Sequence, residues 1–137
     1  MTTHVTGKPR AVEVRLYSDV NHLRGAATRH SQWSGKRDES FAHAVGVCHG
    51  FTRSRIGSDG EWHEDETVAI IRLAATHISP LIVIHEAAHA AQHIYGLDYD
   101  DGKPLEDHMH SGNEDFAHLM GELAAAIWGI FAAAADE

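Results

Sequence analysis

The chain has 137 residues, 43% hydrophobic and 23% charged, which predicts one soluble globular domain with a real core. Its 20 acidic and 11 basic residues give a formal net charge of −9, which argues against nucleic acid or an anionic membrane surface as main partner. The single cysteine, Cys48, excludes an intrachain disulfide, and the first ten residues lack the apolar segment of a signal peptide. The longest apolar run, residues 123–135, is too short to span a bilayer. We therefore expect a cytoplasmic protein.

The first half of the chain predicts a flexible arm followed by a small sheet. Residues 1–10 are expected to form the arm, and residues 11–137 the single domain. Alternating apolar residues over 11–17 predict a half-buried strand, and Ser18 or Asp19 can cap a helix over 21–30. Residues 31–40 predict a polar loop. The sequence GSDG at 57–60 predicts a turn that joins segments 51–56 and 61–66 into a hairpin.

Two further strands are predicted before the centre of the chain. Residues 41–51 are β-like, with His43 and His49 on one face and Cys48 on the other. A Cys/His metal site is possible there, but Cys48 as a small buried hydrophobe is the simpler interpretation. Residues 67–75 form a nearly continuous apolar, β-branched run, typical of a well-covered strand. This strand could hold a substrate as an added edge strand, or it could be a core strand without substrate contact.

The central motif is His85-Glu86-Ala87-Ala88-His89, which has the form H-E-x-x-H. On an α-helix, residues four apart share a face, so both imidazoles can reach one metal ion. Glu86 lies too far round the helix to be an equal third ligand, but it can take a proton from a metal-bound water. Because the chain contains 13 histidines, the motif needs support from the residues around it.

The ends of the motif helix are well marked in the sequence. Ser79 is a good N-cap, Pro80 suits the first helical position and Gly96 suits the C-terminal stop, which predicts a helix over residues 80–95. An apolar stripe is expected to bury this helix, so that the imidazoles lie in a protected cleft rather than in bulk water. The stripe consists of Leu81, Ile84, Ala88, Ala91 and Ile94.

A last helix, predicted from residue 113 to about 135, supplies the candidate third ligand, Glu114, in the sequence NEDFAH at 113–118. Together with H-E-x-x-H, this segment resembles the gluzincin type of zinc metallopeptidase and is similar to short phage and plasmid metallopeptidase domains. The resemblance covers about residues 78–125. It implies a zincin-like fold in which His85, His89 and Glu114 hold Zn²⁺. His118 stands where such enzymes carry an aspartate that supports a ligand histidine.

Other assignments stay open at the third ligand. Residues 111–114 also match a capping box, S-x-x-E, in which Glu114 would fold back onto its own helix N-terminus. The metzincin pattern is excluded, because Gln92 and Tyr95 occupy its glycine and third-histidine positions. His110 or Tyr99 could stabilise the oxyanion of peptide hydrolysis. The alternative third ligands are His118, His93, His108, His110 and Glu122.

Together these patterns predict an α+β, zincin-like domain. A small, mainly antiparallel sheet packs on the motif helix, and the C-terminal helix completes the metal site. The implied function is zinc-dependent hydrolysis of a protein or peptide substrate, with a zinc-activated water and Glu86 as general base. The alternatives are a zinc-binding interaction module without turnover and a structural histidine-rich domain. We expect no nucleic-acid or membrane partner, and the alanine-rich C-terminal helix could form a homo-oligomer.

Overall fold

A four-stranded sheet, a two-stranded hairpin and three helices form the part of the chain that the computed structural model describes, residues 1–35, 41–99 and 102–135. The predicted α+β class is confirmed. The helices are α1 (Val20–Trp33), α2 (Pro80–Asp98) and α3 (Glu114–Ala135). The strands are β1 (Thr2–Thr3), β2 (Arg10–Tyr17), β3 (Gly46–Gly50), β4 (Ser54–Ile56), β5 (Trp62–Glu64) and β6 (Thr67–Ala74).

The sheet has the order β1-β2-β6-β3 and is mixed. The outer pairs β1–β2 and β6–β3 are antiparallel, whereas β2 and β6 pair in parallel, with Ala11 beside Thr67 and Tyr17 beside Ala74. Two of the three strand pairs are antiparallel, in agreement with the predicted, mainly antiparallel sheet, but the parallel central pair was not predicted. A parallel pair needs a long crossover connection, and α1 lies within that connection. The predicted hairpin is confirmed as the antiparallel pair β4–β5.

Strand β6 lies at the centre of the fold. Its neighbours β2 and β3 use both of its hydrogen-bonding edges, and all of its residues after Thr67 are buried. The prediction that this segment could bind substrate as an edge strand is therefore wrong, since no edge is left for an added strand. The outermost strand on this side is β3, which contacts α2.

The two faces of the sheet carry different helices, because successive side chains of a strand point to opposite faces. On one face, Ile71 packs in a cluster that includes Leu123 of α3 and Ala87 of α2. On the other face, Leu23 of α1 packs in a cluster with Val47. Helix α1 starts after the predicted cap, Asp19, and runs further than predicted. Residues 36–40 of the predicted loop lie outside the described residues.

Residues 1–10 are tied to the sheet, and the prediction of a flexible arm was wrong. The amino group of Met1 donates a hydrogen bond to the carbonyl oxygen of Val12 at 2.9 Å, and Thr3 is buried. The buried guanidinium of Arg10 donates through Nε to the carboxylate of Asp98, the last residue of α2, at 3.1 Å. Asp98 lies far along the chain from Arg10, so no local pattern indicates this contact.

Helix α2 begins as predicted but ends later. The hydroxyl of Ser79 accepts a hydrogen bond from the Ile82 amide at 3.3 Å, which confirms the N-cap. The helix continues to Asp98, so the predicted stop at Gly96 was wrong. Gly96 does not adopt the positive φ that makes glycine a helix terminator, and it behaves as an interior helical residue.

The buried face of α2 is rotated from the predicted stripe. Leu81 is 76% exposed and Ile84 is 47% exposed, so two members of that stripe face solvent. A row of small residues packs instead, because alanines let the helix approach β3 and β6 closely. The buried residues of α2 are Val83, Glu86, Ala87, Ala90, Ala91 and Ile94.

Helix α3 confirms the predicted C-terminal helix. It packs on α2 and buries Leu119, Leu123 and Ile127, while Trp128 and Ile130 remain exposed. By length and composition alone, Glu114–Ala133 is long and apolar enough to cross a membrane.

Candidate active site

His85 and His89 project from consecutive turns of α2, and their Nε2 atoms are 3.2 Å apart. Two nitrogens bound to one tetrahedral zinc ion at the usual bond length lie about 3.3 Å apart. The same separation also fits a hydrogen bond between one ring N–H and the other ring nitrogen. The two imidazoles therefore converge on one point, where they can share a small cation or a proton.

The two histidines are exposed, and the expectation of a protected cleft around them was wrong. The His85 side chain is 64% exposed. The rotation of α2 explains this, because it turns Ala87 and Ala90 toward the core instead of the histidines. It also buries Glu86, whose side chain is 5% exposed and whose Oε1 lies 3.8 Å from the Nε2 of His85.

The carboxyl group of Glu86 is held in an apolar setting. Burial raises its pKa to about 7. A carboxyl group that titrates near neutral pH can both accept and return a proton, as a general base and then a general acid must. The fold thus places a proton-exchanging group beside two potential metal ligands.

A cleft runs between the first turns of α2 and the segment that leads into β3. It consists of two adjoining cavities of about 370 and 210 Å³, and His85, Glu86 and Gly46 border both. His43 lines the larger cavity, and Cys48 lines the smaller one. The cleft thus gives the space above Glu86 two walls, one from α2 and one from the β3 side.

Sequence analysis missed the position of His43 and Cys48 in this cleft. Residues 41–45 form a turn rather than the first part of a strand, so the predicted alternation placed His43 wrongly. Cys48 and His49 point to opposite faces of β3, as predicted. The face that carries Cys48 is the one turned toward Glu86. Burial and the Glu86 charge raise the pKa of the Cys48 thiol to about 12.

Glu114 is the first residue of α3, and it is not part of a capping box. Asn113 caps the helix instead, since its Oδ1 accepts a hydrogen bond from the Phe116 amide at 3.0 Å. The prediction that Ser111 could begin such a box was therefore wrong. The Glu114 side chain is 78% exposed, and its Oε2 lies 3.7 Å from Nε2 of His118.

The start of α3 lies beside the second half of α2 rather than beside the histidine pair. The side-chain Nδ2 of Asn113 donates a hydrogen bond to the hydroxyl of Tyr95 at 3.1 Å. Tyr95 is about 9 Å further along the helix axis than His89. Within the described ranges, no three His, Cys, Asp or Glu side chains form a group that could hold a metal ion. Glu114 as third ligand therefore stays a prediction.

The other candidates from the sequence make structural hydrogen bonds. The His93 ring N–H donates to the Phe51 carbonyl at 3.0 Å, which joins α2 to the chain after β3. The Tyr95 hydroxyl meets Nδ1 of His108 at 2.9 Å, and the Tyr99 hydroxyl donates to Asp115 at 3.1 Å. The Tyr95 and Tyr99 contacts hold the connection between α2 and α3. None of the three contacts brings these groups to the His85–His89 pair.

We expect a methyl group at Gly46 to disturb the cleft. A Cβ there would lie 2.9 Å from Cγ2 of Ile82 and 3.2 Å from Cγ of Glu86. Gly46→Ala should lower the free energy of unfolding by about 1–3 kcal/mol, measured by urea denaturation, because crowded groups must shift. The matched control is Gly96→Ala, where an added Cβ has nothing within 4 Å. That change should stabilise α2 by about 0.5–1 kcal/mol, and equal stability of the two variants would contradict the crowding argument.

Comparisons with protein-family models, curated protein sequences and solved structures found no match.

Proposed function

We propose that the protein is a zinc-dependent metallopeptidase whose site is the cleft at His85, Glu86 and His89. One observation carries this proposal. Two imidazole nitrogens lie 3.2 Å apart on α2, at the mouth of a cleft that contains a buried carboxyl group. Imidazole is a preferred ligand of zinc, and three protein ligands with an open position are typical of a catalytic zinc site.

Two of the three proposed metal ligands already lie close together in the structure. His85 and His89 would bind it through Nε2. We propose Glu114 as the third ligand, on the basis of the paired motifs. Its side chain is exposed and is not held by packing in the core. For Glu114 to reach the metal, the first turn of α3 would have to move toward His89.

Glu86 would handle the proton in the reaction. A zinc ion held there would acidify water and polarise the scissile carbonyl. Glu86 takes the proton of the attacking water and later gives it to the leaving amine. Its burial keeps the carboxyl group directed into the cleft, and the absence of a side chain on Gly46 leaves room for its stem.

The substrate segment would lie along β3. This strand is one of the two outer strands of the four-stranded sheet, and its Gly46 and Cys48 border the cleft. An extended peptide can add to such an edge through main-chain hydrogen bonds, which bind many different sequences. In this arrangement the peptide would pass the His85–His89 pair.

A zinc-binding interaction module without turnover is the second candidate. The observation that favours it is the exposure of His85, at 64% of its side chain. Water-excluded sites strengthen the electrostatic stabilisation of a transition state, and an open site weakens it. In this module His85 and His89 would hold the metal on the surface for a partner protein.

Peptide cleavage separates the two candidates. The full chain, loaded with zinc, would be incubated with a library of unstructured peptides, and new termini would be identified by mass spectrometry. A peptidase should cleave, lose this activity to a chelator and regain it when zinc is returned. Zinc binding without any cleavage would reject the peptidase and leave the interaction module.

A further inference from the structure

A separate cavity lies on the other face of the sheet, away from His85, His89 and their cleft. It has a volume of about 860 Å³ and lies between α1, the sheet and the start of the β4–β5 hairpin. We call it the arginine cavity, because four arginines line it. They are Arg15 of β2, Arg29 of α1, Arg53 just before β4, and Arg72 of β6.

Arg72 is the buried member of this group. It is 3% exposed, its Nε donates to the hydroxyl of Tyr17 at 3.3 Å, and its Nη1 donates to Nδ1 of His49 at 3.2 Å. Both partners are uncharged acceptors. Within residues 1–35, 41–99 and 102–135, no carboxylate forms an ion pair with Arg72. A buried cation without an anion is costly, so the site favours a negatively charged ligand.

The other three arginines add to the positive charge of the cavity. Arg15 has an exposed ion pair with Glu13 at 2.8 Å. The Arg53 guanidinium lies 4.3 Å from the centre of the Phe51 ring, a contact that leaves its positive charge unneutralised. The described part of the chain contributes no Asp or Glu to the lining. Four of the 11 basic residues of an acidic protein therefore converge on one cavity.

The pKa of His30 responds to its burial and to the positive charge of the arginines in this cavity. His30 lines the cavity, and its pKa is lowered by burial and then by the charges of Arg72, Arg53 and Arg15. Cations that repel a protonated imidazole attract an anion in the same space.

An exposed aromatic ring lies at the same cavity. Trp33 lines it and is 74% exposed. The Arg53 guanidinium lies over its ring, 5.9 Å from the ring centre, and the rest of this large flat surface is open to solvent beside the arginines. Guanidinium groups bind phosphate through paired hydrogen bonds, and indole rings stack on nucleobases. A volume of this size also suits a ligand of nucleotide dimensions.

We propose that the arginine cavity binds a nucleoside di- or triphosphate, with its phosphates against Arg29 and Arg72 and its base against Trp33. The proposal does not depend on the metallopeptidase assignment, because the cavity and the His85–His89 pair lie on opposite faces of the sheet. The phosphates supply the anion that the buried Arg72 lacks among the described residues, and the base covers the exposed indole.

Isothermal titration calorimetry of the full chain tests this. ATP and ADP should bind with dissociation constants of about 10–100 μM at low ionic strength. Arg29→Gln removes an exposed guanidinium and should weaken binding at least about tenfold. Arg55→Gln, on β4 but outside the lining, is the matched control for the change in net charge and should bind like the wild type. The same titrations in His85→Ala exclude phosphate binding to a metal at the other site.

Two further ligands and two further variants separate the parts of the proposal. Pyrophosphate should bind more weakly than ADP, and adenosine should not bind measurably. Trp33→Ala should weaken ATP but not pyrophosphate. Arg72→Gln should abolish binding, and circular dichroism would check that this buried variant is folded. Absence of nucleotide binding by the wild type, or equal losses in Arg29→Gln and Arg55→Gln, would overturn the site. Equal affinity for pyrophosphate and ATP, with Trp33→Ala unchanged, would overturn the nucleoside part.

Discussion

Replacing His85 by alanine is expected to remove nearly all bound zinc, whereas the wild-type protein is expected to carry about one ion per chain. The two Nε2 atoms lie 3.2 Å apart and would bind the proposed metal together, so either histidine alone would leave too few ligands to retain it. His89→Ala should give the same result. Elemental analysis of protein purified without a histidine tag measures the ratio directly.

The control for this experiment is His63→Ala. His63 is exposed and paired with Asp59 in the hairpin, at 2.9 Å, so its loss removes one of many histidines without touching α2. It should keep the full zinc content. Equal loss in both variants would mean that the metal is bound by exposed histidines in general. A wild-type protein without zinc after dialysis against zinc would reject the metal site.

The same measurement decides the third ligand. Glu114→Gln keeps the size of the side chain and removes its charge, and it should weaken zinc binding at least about tenfold if Glu114 binds the metal. Cys48→Ser is the informative comparison, because Cys48 lines the cleft with both histidines. A loss of zinc in Cys48→Ser and not in Glu114→Gln would move the third ligand to β3.

Glu86→Gln is expected to keep zinc but to lower the rate of peptide cleavage by about 10²–10⁴-fold. Glutamine fills the same buried space but cannot accept a proton from the attacking water. Because Glu86 is not expected to be a metal ligand, elemental analysis should show unchanged zinc. The rate would be followed with the best peptide from the library, at saturating and at limiting concentrations, to separate kcat from KM.

Glu61→Gln is the matched control for this second prediction. Glu61 is exposed in the turn of the β4–β5 hairpin, so the same chemical change there should leave the cleavage rate unchanged. An unchanged rate in Glu86→Gln would exclude the proposed general base. A loss of zinc together with activity would show that Glu86 is needed to bind the metal, so that its role as general base would not be established.

Local signals in the sequence predicted most of the elements, because caps, turns and apolar periodicity act over a few residues. Asp19 and Ser79 cap their helices as predicted, and the turn over residues 57–60 joins the predicted hairpin. Contacts between distant segments could not be predicted in this way. The parallel pairing of β2 with β6 and the burial of Arg10 against Asp98 depend on the whole chain.

The sequence predicted that His85 and His89 come together, but it did not predict which parts of the chain surround them. The spacing of His85 and His89 determines that they meet on one face of a helix, so the pattern was sufficient. Which face of α2 is buried depends on the alanines that fit against β3. That face buries Glu86 and exposes the histidines, which were expected to lie in a protected cleft. The arginine cavity gave no signal, since its arginines come from four separate segments.

The parallel pairing of β2 and β6 has a consequence for the order of folding. The β4–β5 hairpin can form from local contacts, and it brings β3 and β6 together, because it lies directly between them in the chain. Strand β2 can join β6 only after α1, β3 and the hairpin have been looped out, which carries a larger entropic cost. The strand pair that borders the Glu86 cleft should therefore form early, and the ladder that carries Arg15 and Arg72 should form late.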